Sequence, residues 1–224
     1  MEMRELPSPN HGARKAAIDM LVLHYTGMAS AEDALRRLTA PDSGVSAHYV
    51  IDEDGTVWRL VPEERRAWHA GVSFWRGTRD VNSASIGIEL VNPGPDLGYR
   101  EFPEPQITAL EQLAGEILAR HSMPPRNVIG HSDVAPARKQ DPGELFPWRR
   151  LAFAGIGLWP EPPLPLPPRE IGPRLAAIGY DPSAAPASVI TAFQRHFRPA
   201  GCDGIADDET RAIAAAVAKL CGEI

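Results

Sequence analysis

At 224 residues with 43% hydrophobic content, the chain is long enough to bury a substantial core, as one large domain or as one medium and one small domain, which argues against disorder throughout. A formal charge of −6 and a pI near 5.7 supply no basic surface for neutralising phosphates, so no nucleic-acid partner is expected and a neutral or mixed-charge ligand fits better. No stretch approaches the roughly 20 apolar residues that cross a bilayer, so no membrane span is expected.

The N-terminus carries Glu2 and Glu5 where a signal peptide would be basic, and its apolar run arrives late. This favours the cytoplasm, with the cell envelope as the alternative. The cysteines are Cys202 and Cys221; two thiols near one end make no disulfide framework, and whether they pair is open.

Ile18 to His24 is a short apolar run that ends in polar Tyr25 and Thr26, which predicts a buried strand. Ala31 to Leu38 predicts a short helix. His48 to Asp52 and Val57 to Val61 flank an Asp-Gly pair at 54–55, a hairpin signal. Ser85 to Val91 predicts another buried strand, Pro105 to His121 a helix with Ile107, Leu110, Leu113 and Ile117 near helical spacing, and Asn127 to His131 a further strand.

Hairpin and crossover signals are mixed, and pattern alone does not choose between α/β and α+β. The expected architecture is α/β, a mixed central sheet flanked by helices, with a second, small three-helix domain. The proline-dense segment from Trp159 to Glu170 predicts an extended linker. It divides the chain into 1–157, a linker at 158–169 and 170–224, the last read as helices near 170–178, 186–197 and 207–221, with Asp207 or Asp208 at the start of the final helix.

Of seven histidines, His24 and His131 end strand-like runs, where open sheets place functional groups. His131 opens a loop that closes at Asp141-Pro142-Gly143. Such a loop can fold His131 and Asp141 toward one point, and with His24 they would supply two neutral nitrogens and a carboxylate, a set suited to catalytic zinc with its open fourth position. The alternative is a turn in which Asp141 caps the following helix. His48 is read as structural, and His11, His121 and His196 have no supporting context.

The segments Leu23-His24-Tyr25-Thr26, Ser46-Ala47-His48-Tyr49, Trp68-His69-Ala70-Gly71, Asn82 with Ser85-Ile86-Gly87-Ile88-Glu89-Leu90, and Gly130-His131-Ser132-Asp133 through Lys139-Gln140-Asp141-Pro142-Gly143 resemble the type-2 N-acetylmuramoyl-L-alanine amidases, relatives of phage amidase lysozymes and peptidoglycan-recognition proteins. The resemblance spans about residues 15–155. It implies one zinc ion held by His24, His131 and Asp141, with Glu89 as acid/base residue and Lys139 near the developing oxyanion. Some relatives place Cys where this chain has Asp141, and the phage enzymes carry a Tyr where it has Ala47. Any role of that Tyr does not transfer, which leaves more of the catalytic work to Glu89.

His69, with Trp68, Trp75 and Asn82, is expected to line the substrate cleft, since aromatic walls stack on sugar faces, although core packing explains the Trp residues nearly as well. The segment 168–221 resembles the peptidoglycan-binding-domain-like fold through Leu175 to Tyr180 and Val189 to Phe197.

The implied activity is hydrolysis of the amide between N-acetylmuramic acid and L-alanine, in peptidoglycan or its soluble muropeptide fragments. The N-terminal composition favours recycling fragments and the C-terminal segment favours intact wall. Two other readings stay open: a recognition protein that binds muropeptides without cutting, and a zinc amidase acting on a different acyl substrate.

Overall fold

A computed structural model describes residues 3–160 and 170–222. The expected linker, apart from its flanks, lies outside the described residues. The centre of the molecule is β3 (Met20–Tyr25), whose residues 20–24 are all buried. A strand covered on both faces needs such a continuous apolar run. It pairs in parallel with β7 (Ser85–Leu90) on one side and β8 (Val128–Gly130) on the other. Beyond β7 lie β4 (Tyr49–Ile51), parallel to it, then β5 (Val57–Arg59), antiparallel to β4, and β1 (Met3–Glu5) at the edge.

The sheet is therefore mixed, in the order β1-β5-β4-β7-β3-β8. Its one antiparallel step is the β4–β5 hairpin that the Asp-Gly signal predicted, with Gly55 at φ 88° in the turn. A second, two-stranded sheet pairs β2 (His11–Ala13) with β6 (Arg65–Ala67). Neither short strand is visible in the sequence pattern.

In a parallel sheet, residues in register point to the same face. Leu21 and Leu23 pair with Ile86 and Ile88 and pack against Leu110, Leu113 and Ile117 of α3 (Glu104–His121). The opposite face carries Met20, Val22 and His24 beside Ser85, Gly87 and Glu89. Between β3 and β7 come α1 (Ala31–Thr39), capped by Ser30, whose side chain accepts from the Asp33 amide, and the one-turn α2 (Val81–Ala84). Two short helices follow β8: α4 (His131–Val134) and α5 (Trp148–Phe153).

The chain ends in α6 (Ile171–Ile178), α7 (Pro186–Phe197) and α8 (Asp208–Leu220). Asp207 caps α8 by accepting from the Thr210 amide at 2.8 Å. These helices share one hydrophobic cluster with the sheet: it runs from Met20, Val22 and Ile129 through Trp75 and Val134 to Leu175, Tyr180, Phe193 and Val217.

Polar contacts tie the same boundary. Asp133 of α4 is 1% exposed and accepts from the Tyr180 hydroxyl at 2.6 Å, from the Gly130 amide at 2.8 Å and from His196 Nδ1 at 2.8 Å. His196 stacks on Trp148 with ring centroids 3.8 Å apart, and Arg76 donates to the carbonyls of Ala177 and Ile178 that α6 leaves open at its end. Cys202 and Cys221 are not bonded to each other.

Candidate active site

Three parallel strands end at one point. His24 sits near the C-terminal end of β3, its register partner Glu89 near the end of β7, and His131 directly after β8. This is the edge where open α/β sheets bind ligands. The loop after His131 returns because the Ser132 amide donates to the Asp141 carbonyl at 2.9 Å, while the Tyr99 hydroxyl donates to the Pro142 carbonyl at 2.7 Å. His24 Nδ1, His131 Nδ1 and Asp141 Oδ2 then lie 2.9–3.0 Å from one another. Among the described residues these three form the group that could hold a metal ion.

The chemistry of the donors fits a divalent ion. His131 Nε2 is 3.1 Å from the Ala70 carbonyl; a carbonyl only accepts, so the ring proton sits on Nε2 and a neutral His131 turns a lone pair on Nδ1 inward. Burial above all pushes His24 down to about 4, so His24 is a neutral ring at pH 7. Two imidazoles and one ionised carboxylate are the ligand set of catalytic zinc sites with an open fourth position.

These groups open on a cleft of about 390 Å³ bordered by Tyr25, Trp68, His69, Glu89, Lys139 and Gln140. Glu89 is half-buried there. Its Oε2 has no hydrogen-bond partner among the described residues, and burial, then the Asp141 carboxylate, raise its carboxyl well above the ordinary value. A shifted carboxyl with an unpaired oxygen facing a cleft has the properties of an acid/base group.

The residues expected to line the cleft divide into two groups. Trp68 and His69 border it. Trp75 does not: it is 2% exposed and packs edge-on against Tyr180, with centroids 5.1 Å apart, inside the cluster shared with the C-terminal helices. Its apolar area found a protein partner instead of a sugar. Asn82 is also buried away from the opening, where its Oδ1 accepts from the His69 and Ala70 amides at 2.9 and 2.7 Å.

His48, read as structural, is fully buried, with Nδ1 accepting from the Gly87 amide and burial pushing it down to about 3. Tyr99 shapes the site without any sequence signal of its own, and Ser85 and Asp133 do so from inside the resembling segments without having been singled out. Only the alternation Ser-Ile-Gly-Ile-Glu-Leu in β7, with small and polar residues on one face, hints that this strand faces something other than core.

The comparisons with known proteins converge on one family. The family model for N-acetylmuramoyl-L-alanine amidase (Amidase_2) matches residues 14–144. N-acetylmuramoyl-L-alanine amidase AmiD of Escherichia coli K12 is 43% identical over 235 residues, covering 92% of this chain and 84% of AmiD. The 1,6-anhydro-N-acetylmuramyl-L-alanine amidase AmpD of Enterobacter cloacae is 36% identical over 170 residues, covering 67% of this chain and 89% of AmpD.

Among solved structures, the complex of E. coli AmiD with the substrate anhydro-N-acetylmuramic acid-L-Ala-D-gamma-Glu-L-Lys superposes with a TM-score of 0.81 at 42% identity, over 92% of this chain and 91% of that one. AmpDh3 of Pseudomonas aeruginosa in complex with anhydromuramic pentapeptide gives 0.83 at 38% identity, over 94% of each chain. With the family model over more than half its length and these relatives over most of the remainder, the chain belongs to the Amidase_2 family and is an N-acetylmuramoyl-L-alanine amidase.

Proposed function

We propose that the enzyme is zinc-dependent and hydrolyses the amide between the lactyl group of N-acetylmuramic acid and L-alanine in muropeptides, anhydro forms included, releasing stem peptides. The observation that carries this reading is the convergence of His24 Nδ1, His131 Nδ1 and Asp141 Oδ2 beside the unpartnered Glu89 carboxyl. The muropeptide complexes of AmiD and AmpDh3 support the substrate class.

His24, His131 and Asp141 would hold the zinc, which would supply a Lewis acid able to activate water near neutral pH and polarise the amide carbonyl. Glu89, whose raised carboxyl makes its ionised form a stronger base than an ordinary carboxylate, takes the proton of the attacking water and, once protonated, delivers it to the departing amine nitrogen of L-alanine. Lys139, two residues before Asp141 on the loop that borders the cleft, stabilises negative charge as it builds on the carbonyl oxygen. Trp68 offers a half-buried indole for the sugar face.

The division at 158–169 and a wall-contacting role for 170–224 belong to the same proposal, supported by an apolar groove of about 370 Å³ between α6 and α7.

The test is mass spectrometry of products from soluble anhydromuropeptides and from intact sacculi, with chelator and with zinc restored. Zinc-dependent release of free stem peptide is expected. Intact substrate in both, with zinc bound, would turn the reading into muropeptide recognition without cleavage or into another acyl substrate.

A further inference from the structure

The proton positions on the two histidines follow from the groups behind them. Ser85 Oγ lies 2.6 Å from the Val81 carbonyl. A carbonyl only accepts, so the single hydroxyl proton is committed there. His69 Nε2, 3.2 Å from that same hydroxyl oxygen, is then the donor. His69 is 8% exposed and its ring nitrogens meet Ser85 and His24, with no carboxylate against either among the described residues; a buried imidazolium there would be costly. As a neutral ring, His69 therefore has a bare Nδ1. This atom is 3.1 Å from His24 Nε2, which must supply the proton, and His24 Nδ1 is left with its lone pair.

Next along the chain, the Ala70 carbonyl does the same for His131. Both amides of this pair are gripped by one atom, Asn82 Oδ1. The strand beneath makes room for the ring: a Cβ on Gly87 would stand 2.5 Å from His69 Cγ.

We propose that His69 and Asn82 are positioning residues: the two-residue segment they hold fixes His24 and His131 as the Nε2–H tautomer, so that both present bare Nδ1 atoms to the metal position. With both lone pairs turned inward and Asp141 Oδ2 beside them, three acceptors face one point, an arrangement that a cation completes. The segment expected to read the substrate instead stands behind the ligands and sets their direction. The inference rests on the zinc reading above for its purpose, but the tautomers are measurable without zinc.

The experiment is ¹H–¹⁵N correlation of the imidazoles in the ¹⁵N-histidine-labelled full chain, with and without zinc, beside competitive zinc titration of variants. In the wild type without zinc, His24, His69 and His131 are expected with the proton on Nε2, and zinc should shift Nδ1 of His24 and His131 alone. A proton on His24 Nδ1 at neutral pH overturns the proposal.

His69→Leu is expected to bind zinc about 10–100-fold more weakly. His69→Gln, whose amide can accept from His24 and donate to Ser85, is expected to recover most of the loss. Unchanged affinity in His69→Leu, or no recovery in His69→Gln, overturns it as well. A wild type that binds no zinc defeats the zinc reading instead, and the tautomers then decide this inference by themselves.

Discussion

Two buried clusters of histidine and aspartate flank the four residues of α4, and they differ in how their polar atoms are used. In one, Asp133 spends Oδ1 on Tyr180 and Oδ2 on Gly130 and His196, while the His196 ring is stacked on Trp148. In the other, His24, His131 and Asp141 turn their inner atoms toward one another and the cleft, beside a Glu89 oxygen with no partner. Residue type does not separate them. A carboxylate whose acceptors are filled by protein donors is a fastening, whereas convergent lone pairs left to face each other are a binding site.

The same substitution in each cluster sharpens this contrast. Asp141→Ala removes a ligand, and stem-peptide release is expected to fall to background with zinc content much reduced, while the Tm of the metal-free protein holds or rises because the site was not arranged for stability. Inductively coupled plasma spectrometry and a melting curve check both halves. A large loss of Tm with activity retained would exchange the roles assigned to the two aspartates.

Glu89→Gln keeps the shape but cannot carry the proton. Turnover is expected to drop about 10²–10⁴-fold with zinc content near that of the wild type, read by kcat beside metal analysis. Parallel loss of metal would place Glu89 among the ligands.

Asp133→Ala leaves the Tyr180 hydroxyl, the Gly130 amide and His196 Nδ1 without their acceptor. A destabilisation of about 3–5 kcal/mol is expected, seen as a Tm lower by roughly 10 °C, with chemistry affected only as far as α4 shifts. A Tm within a degree of wild type would show that the C-terminal helices are held by their apolar contacts alone. The same interface predicts a less stable or insoluble fragment on deleting 160–224, because the C-terminal helices share their apolar cluster with the sheet.

Much of the sheet is legible from residues alone. The runs Met20–Tyr25 and Ser85–Leu90 are long, apolar and bounded by polar residues, and the Asp-Gly pair permits one tight connection between β4 and β5. The helices 171–178, 186–197 and 208–220 fall within a residue or so of their expected limits because their apolar spacing is strongly periodic, and Pro186 and Asp207 mark the starts of the last two. Strands of three residues such as β2 and β6, and one-turn helices such as α2 and α4, carry too little pattern to be read.

The residues that meet at the cleft were legible where a residue type is costly to bury unless it serves a function, as with two histidines at strand ends, an aspartate closing a loop and a glutamate within an apolar strand. Trp68, Trp75, His69 and Asn82 were not separable in this way. An aromatic ring gains from burial against a sugar or against Tyr180 alike, and an amide satisfies a ligand or two backbone N–H groups with the same atom.

The sequence by itself thus determined the longer strands and helices and pointed to His24, His131, Asp141 and Glu89 as the side chains to watch, because periodicity and the cost of buried charge are local properties. Tertiary structure alone decided the register that sets Glu89 beside His24, the packing of the C-terminal helices onto Asp133, and the placement of His69 behind the ligands. Those depend on contacts between segments tens of residues apart, where many pairings satisfy the same local rules and only close packing selects one.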